Sequence, residues 1–294
     1  MKNLLVVYNE SIPSDVFLQK NKHLADVAKK YNYNITFKSN TDIYTFLNNN
    51  AVKCFGSNLD YACCLFFDHD PYLAKNLEML GMRVVNGSHA LLLCENKANM
   101  YQQMVANHIS IPKTFILPEL SVYKQDGIKD FVTEAINELS LPVVIKEYYG
   151  DSGRGVYLVK TRQDVFAVID KFKGRNILLQ EYISESAGTD IRLFVINDKV
   201  VSAVRRNSGD GGFRSNSSLG GKLSVYAPTA VETKLAIQAA KTMGCDFAVV
   251  DMLRGVTGSL VCEVNSTANI NNFYECTGVD IAELLFKEII KKAK

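Results

Sequence analysis

The sequence predicts a mixed α/β and α+β protein. A small N-terminal α/β layer spans residues 1–94, and two α+β lobes follow over residues 95–184 and 185–294, with a cleft between them. Three observations predict this. Residues 1–94 alternate short apolar runs with segments of helical period, the pattern of strands flanked by helices. Beyond Glu95, groups of strands mix with helices. The 294 residues, 47% hydrophobic and 22% charged, suffice for two or three compact lobes and exclude wholesale disorder.

Taken in order, residues 4–8 form an apolar run of strand length, and residues 14–30 read as one helix. Strands are expected at 35–38 and 61–67, and a helix at 71–80 with Pro71 in its first turn. A two-residue strand follows at 84–85. The first strand-to-helix turn, residues 9–13, has no glycine, so the G-x-G-x-x-G dinucleotide fingerprint is missing where it would have to be. No Walker A loop occurs in the chain. Residues 96–107 read as a helix that ends before Pro112. Next come a strand at 114–117, a helix at 126–139, and strands at 141–147 and 156–160 flanking a glycine-rich loop. A helix at 161–172 and a strand at 177–181 complete this lobe. Strands at 189–196 and 200–205 precede a stretch, 207–221, rich in glycine and serine. A helix at 229–243, paired strands at 246–254 and 259–264, and a helix from Asp280 close the pattern.

Charge and cysteine usage narrow the function. A formal net charge of +2 gives no electrostatic reason to expect nucleic acid or an anionic membrane as partner. The run at 4–8 is too short for a signal-peptide core or a membrane span. The seven cysteines are odd in number and include no C-x-x-C pair, which suits small core residues in a reducing compartment. The four histidines lack zinc-site spacing. The expectation is a soluble, cytoplasmic protein.

Four constellations carry chemistry. The first is Lys146 on a strand, followed by a loop with Gly150, Ser152, Gly153 and Gly155. Such a loop can cradle phosphate oxygens on successive N–H groups, or it can be a plain hairpin turn with Lys146 solvated. The same loop contains Gly150-Asp151-Ser152-Gly153, which surrounds the nucleophile of chymotrypsin-like proteases. Arg154 follows, no histidine sits in a matching segment, and the all-β pattern is lacking, so that reading is rejected. The second is a set of oxygen donors. Glu263 and Asn265 share a strand face, and a turn pairing Gly255 with Ser259 puts Asp251 opposite Glu263. Three such donors between apolar runs suit Mg²⁺ with phosphate oxygens; on an exposed face they would simply be solvated. The third is a supply of Arg192, Arg206, Arg214 and Asn216, which bind phosphate or carboxylate oxygens or stand as surface groups. The fourth is Gln180, Glu181, Tyr182 and Ile183, where a strand leaving its sheet can offer backbone atoms to an adenine edge, with Glu185 near a ribose hydroxyl.

In this order the four sets resemble the ATP-grasp superfamily, and within it the RimK- and LysX-type amino-acid ligases, among them α-L-glutamate ligases. The matching segments are Pro142-Val143-Val144-Ile145-Lys146 with its loop, Gln180-Glu181-Tyr182-Ile183, Gly188-Thr189-Asp190-Ile191-Arg192, Phe213-Arg214-Ser215-Asn216, Asp251-Met252-Leu253-Arg254, Glu263-Val264-Asn265 and Thr277-Gly278-Val279-Asp280-Ile281. The resemblance runs from about Val85 to the end. The resemblance implies two α+β lobes clasping ATP behind a small Rossmann-like domain. It implies a carboxylate–amine ligase that forms an amide through an acyl phosphate, with glutamate the first candidate amine and a peptide, protein tail or small acid as the carboxylate. It places Lys97 and Lys146 at the ATP phosphates, and Glu181 and Ile183 at adenine through backbone atoms. It assigns Glu185 to the ribose. Asp251, Glu263 and Asn265 would hold two Mg²⁺ ions, with Mn²⁺ as the substitute. Arg192, Arg206, Arg214 and Asn216 would lie by the γ-phosphate and acyl phosphate. It also implies a homo-oligomer, dimer or tetramer. The alternative is a protein of this fold that keeps ATP but has lost ligation. Two departures from the family pattern are Asn96, where an aspartate is usual, and Ser266-Thr267, where a Pro-Gly pair is usual. A third falls at Ser217-Ser218-Leu219.

Overall fold

The computed structural model describes residues 1–118, 125–150, 153–172, 174–209, 212–213, 221–267 and 269–290. The glycine- and serine-rich stretch 207–221, with Arg214 and Asn216, lies largely outside the described residues, as does Ser152. The N-terminal layer runs β1 (Lys2–Tyr8), α1 (Ser14–Lys20), α2 (Lys22–Lys30), β2 (Tyr33–Ser39), β3 (Tyr44–Asn48), β4 (Ala51–Phe55), β5 (Cys63–Phe67), α3 (Pro71–Met79) and β6 (Val84–Val85). Its main sheet is parallel, in the order β2-β1-β5-β6. Next come α4 (Ser88–Glu95) and α5 (Lys97–Ala106). A second sheet, β7-β10-β8-β9, is built from β7 (Thr114–Ile116), β8 (Val143–Glu147), β9 (Val156–Val159) and β10 (Ile177–Glu181). The helices α6 (Gln125–Leu139) and α7 (Arg162–Phe172) supply the apolar side chains of its own core, among them Val132, Ile136, Val165 and Ile169. The third sheet, β13-β12-β11-β14-β15, comprises β11 (Thr189–Ile196), β12 (Lys199–Asn207), β13 (Lys222–Val225), β14 (Phe247–Gly255) and β15 (Gly258–Asn265). The helices α8 (Ala230–Thr242), α9 (Ile270–Thr277) and α10 (Ile281–Glu288) accompany it.

Several expectations are corrected. The single helix at 14–30 is two helices broken at Asn21, whose side chain donates to the Phe17 carbonyl at 2.9 Å. Asparagine competes with the helix in this way and interrupts it. The hairpin β3–β4 falls in a stretch with no expected element; its turn uses Asn49 at φ +50, a left-handed conformation asparagine tolerates. The helices α4 and α9 and the strand β13 were likewise not expected.

Alternation along the third sheet sets up the site. On one face Leu193, Val195, Ala203, Ala248 and Val250 pack against α4, α5 and α8. On the other, Phe194, Val204, Phe247 and Val249 pack against α9, α10 and the N-terminal layer. Two residues along each strand on that second face stand Arg192, Arg206 and Asp251. The face therefore changes from apolar to charged where the N-terminal cover ends.

Opposite, α8 is anchored by Glu232. Its carboxylate closes a capping box with Thr229 and accepts from Tyr226 Oη at 2.8 Å, Ser259 Oγ at 3.0 Å and Arg254 at 3.1 Å. Burial pushes this carboxyl up, but the Thr229 N–H, Tyr226, Ser259 and Arg254 more than offset that and hold it at about 2. A depressed carboxyl stabilises the fold above its unfolded pKa and loses that contribution as the pH falls through its folded value. Glu232→Gln is therefore predicted to cost about 1–3 kcal/mol at neutral pH, with the deficit shrinking from about pH 4.3 downward. Urea unfolding of both proteins across that range measures it, and a pH-independent deficit would contradict it.

Candidate active site

A cleft lies between the second and third sheets. Its lining includes Lys97, Lys146, Gly150, Gly153, Gln180, Glu181, Tyr182, Ile183, Arg206, Asp251 and Glu263, so the structure brings together most residues singled out in the sequence. Apolar Val144, Val156, Ile183 and Leu253 also line it, while the charged residues gather where the third sheet changes character.

Asp251 pairs with Glu263 across the β14–β15 hairpin, but not by the expected turn. Gly255 pairs with Gly258, not Ser259, which alone would place Cys262 opposite Asp251. A bulge between Asp251 and Met252 adds the missing residue and restores the pairing. Consecutive strand residues normally face opposite sides, yet Cys262 and Glu263 both line the cleft, as a bulge permits.

The carboxylates are held by cations. Asp251 accepts from Arg192 Nε at 2.7 Å and from an Arg206 terminal nitrogen at 2.9 Å. Arg206 in turn forms a two-pronged pair with Asp190, its Nε 2.8 Å from Oδ1. Lys97 Nζ lies 3.0 Å from Glu263 Oε1 and donates to the Gly150 carbonyl at 2.7 Å, tying the glycine loop to the third sheet. Burial pushes Glu263 up, but Lys97, Lys146 and Arg192 outweigh it and hold its carboxyl below the usual range. Lys146 Nζ lies 3.4 Å from Tyr101 Oη and 3.6 Å from Cys262 Sγ. Tyr101 Oη donates to the Cys262 carbonyl at 2.7 Å, so α5 braces the bulge from behind.

The glycine loop needs its glycines. Gly153 and Gly155 take φ of +76 and +68, and a Cβ at Gly155 would meet the Glu147 side chain at 3.0 Å. At the other end, Gln180 donates to Thr114 Oγ1 at 2.8 Å, and the Glu181 N–H to the Lys113 carbonyl at 2.9 Å. The Glu181 carboxylate also accepts from the Lys113 N–H at 2.7 Å. Glu185 is exposed in the following turn and is not among the lining residues. Arg192 is not among the lining residues and joins the cluster by its bond to Asp251. Asn265 pairs with Val249 and lies outside the lining, its Nδ2 3.5 Å from the Val249 carbonyl.

Sequence reasoning missed the roles of Asp190, Tyr101 and Cys262. Asp190 carried a signal, since it shares a strand face with Arg192. Cys262 carried none, because its position depends on the bulge. Asn96 caps α5, accepting from the Ala98 and Asn99 N–H groups at 3.0 and 3.1 Å. Its Nδ2 also donates to Tyr149 Oη at 3.0 Å, which an ionised aspartate could not do.

Among the described residues no three His, Cys, Asp or Glu side chains form a metal-binding group. Two carboxylates with an amide nearby instead suit an ion that takes its remaining ligands from phosphate and water, as Mg²⁺ does. Among the described residues no helix is long and apolar enough to cross a membrane.

The family model for the RimK-like ATP-grasp domain matches residues 79–289. A probable alpha-L-glutamate ligase of Vibrio cholerae is 40% identical over 221 residues, 74% of this chain and 71% of its own. A ribosomal protein bS6–L-glutamate ligase of Escherichia coli O81 is 38% identical over the same shares. The crystal structure of a RimK domain ATP-grasp protein from Sphaerobacter thermophilus has the same fold, with a TM-score of 0.74 at 18% identity, covering 97% of this chain and 98% of that one. Fold, cleft and sequence agree, and the chain belongs to the RimK-like ATP-grasp family of ATP-dependent carboxylate–amine ligases.

Proposed function

We propose that this enzyme joins L-glutamate, as the amine, to a carboxylate of a peptide or protein tail. The observation that carries this reading is the cluster in which Asp251 and Glu263 face each other among Lys97, Lys146, Arg192 and Arg206. Phosphoryl transfer to a carboxylate needs charge neutralisation and alignment more than a protein nucleophile, and this end of the cleft offers both. The apolar slot of Val144, Val156, Ile183 and Leu253 suits a flat base, with Gln180, Glu181 and Tyr182 at its edge. Lys146, Lys97 and the loop of Gly150, Gly153 and Gly155 suit the phosphates.

Asp251 and Glu263, with Asn265 on the same strand face, would hold Mg²⁺, in one or two ions. The ion would neutralise charge on the phosphates as they are transferred. Asp251 would then exchange part of its arginine contacts for the ion, freeing Arg192 and Arg206 to meet the acyl phosphate. Glutamate as amine, and a protein or peptide as acid, are argued from the relatives' activities. A cytoplasmic home is supported by seven cysteines that are all free. Self-association is supported by the exposed side chains of Tyr44, Phe46, Leu47 and Phe55 on the β3–β4 hairpin.

The test is ADP release with ATP, Mg²⁺, L-glutamate and acidic peptides ending in glutamate, with mass spectrometry of the peptide. A gain of one glutamyl residue, dependent on both substrates, is expected. ATP binding without ADP release for any acid and amine pair would favour the variant of this fold that has lost ligation.

A further inference from the structure

His69 stands where the N-terminal layer meets the candidate active site. It follows β5 at the carboxyl ends of the parallel strands, where β1 and β5 lie side by side and their onward connections lead to opposite edges of the sheet. Open parallel sheets receive ligands in that crevice. Asp68, fully buried there, accepts from Asn9 Nδ2 at 2.8 Å, while its Oδ2 has no hydrogen-bond partner among the described residues. A buried carboxylate oxygen of this kind favours a cation nearby. His69 Nδ1 lies 2.6 Å from Glu95 Oε1, and its Nε2 lies 3.2 Å from Thr267 Oγ1.

Both chain segments that touch this imidazole run out of the charged end of the cleft. Glu95 precedes Lys97 by two residues, and Thr267 follows Asn265 by two. His69 therefore neighbours that end through two short chain segments. A second substrate attacking an acyl phosphate held there would pass this position. The side chains of His69 and Glu95 remain partly open to solvent, 47% and 27% exposed, so a ligand can reach them.

We propose that His69, oriented by Glu95, is the base that deprotonates the incoming amine, which it meets on the partly open side that it shares with Glu95 and Thr267. The proposal rests on the ligase reading above. An Nδ1–H donated to Glu95 leaves Nε2 as the acceptor, on the side of Thr267. The amine arrives as an ammonium ion, with no lone pair. One proton passes to His69 Nε2 and frees the pair. The C–N bond forms at the acyl carbon, the C–O bond to phosphate breaks, and its electron pair leaves on the phosphate. The departing phosphate takes the nitrogen's second proton, and the imidazolium returns its own to solvent.

Hydroxylamine separates the two halves of the reaction, because it is unprotonated at neutral pH and traps an acyl phosphate without a base. The assay uses ATP, Mg²⁺ and a peptide ending in glutamate, with either hydroxylamine or L-glutamate as the amine. His69→Asn keeps a polar side chain but cannot take a proton. It should keep hydroxamate formation within about two-fold of wild type while losing on the order of 10²–10⁴ in glutamate ligation. Glu95→Gln should show a smaller loss of the same kind. Ligation at the wild-type rate in His69→Asn, or equal loss of both products, overturns the proposal; equal loss would reduce His69 to a latch between segments. No hydroxamate from the wild type would instead take down the ligase reading, and this proposal with it.

Discussion

Replacing Glu263 with alanine should abolish ADP formation while leaving the fold in place. Glu263 is the carboxylate that faces Asp251 across the hairpin, and Lys97 and Lys146 hold it ionised. On the proposed reading it binds the ion that neutralises the transferred phosphate, and loss of such a group costs on the order of 10³-fold or more in turnover. The fold should survive, since the side chain is 28% exposed and Lys97 keeps the Gly150 carbonyl as partner. A coupled ADP assay, with thermal unfolding of the same sample, checks both halves. Turnover near the wild-type rate would remove Glu263 from the site.

Arg206→Ala should damage stability as well as activity. Arg206 is buried and is shared by Asp190 and Asp251. Removing it leaves Asp190 without its cation, and Asp251 with Arg192 alone. Breaking a buried ion pair from one side costs about 3–5 kcal/mol, because the remaining charge stays buried. At about 2–4 °C per kcal/mol for a chain of this class, the melting point should fall by roughly 10 °C. Adding Asp190→Asn to the same chain should recover part of that loss, since one uncompensated charge disappears. A single variant that melts within a degree or two of wild type would show that the cluster is solvated and worth little. Arg206→Lys should fall between, because one ammonium cannot fork to two carboxylates.

Much of this site was legible in the sequence for reasons that can be named. Asp251 and Glu263 were expected opposite each other, and they are, but two local errors cancelled. The real turn is one residue tighter than expected, and the bulge beside Asp251 supplies the residue back. Strand periodicity placed both carboxylates on one face, yet nothing in the sequence marks the bulge that also turns Cys262 into the cleft. Lys146 and the glycine loop were readable because positive φ at Gly153 and Gly155 demands glycine. His69 was not readable, because its partners Glu95 and Thr267 are brought to it only by tertiary contacts. The break at Asn21 and the helix α4 were missed for local reasons: a single asparagine interrupts one helical pattern, and the unbroken apolar run Ala90–Cys94 within α4 shows little periodicity to detect.

The shared face of the third sheet bears on how this protein can be divided. One end of that face is covered by the N-terminal layer and α10, through Phe194, Phe247 and Phe286. The other end is the chemistry. The matched family region, residues 79–289, contains α9 and α10 but not β1 to β5 of that cover. The N-terminal layer is therefore not an exchangeable cap. A transplanted layer would have to reproduce a hydrophobic footprint on the catalytic sheet, and any slip in that footprint would shift Arg192 and Asp251, two residues further along the same strands. For anyone shuffling parts among such enzymes, the workable seam lies at the second sheet, whose helices bury a largely separate core.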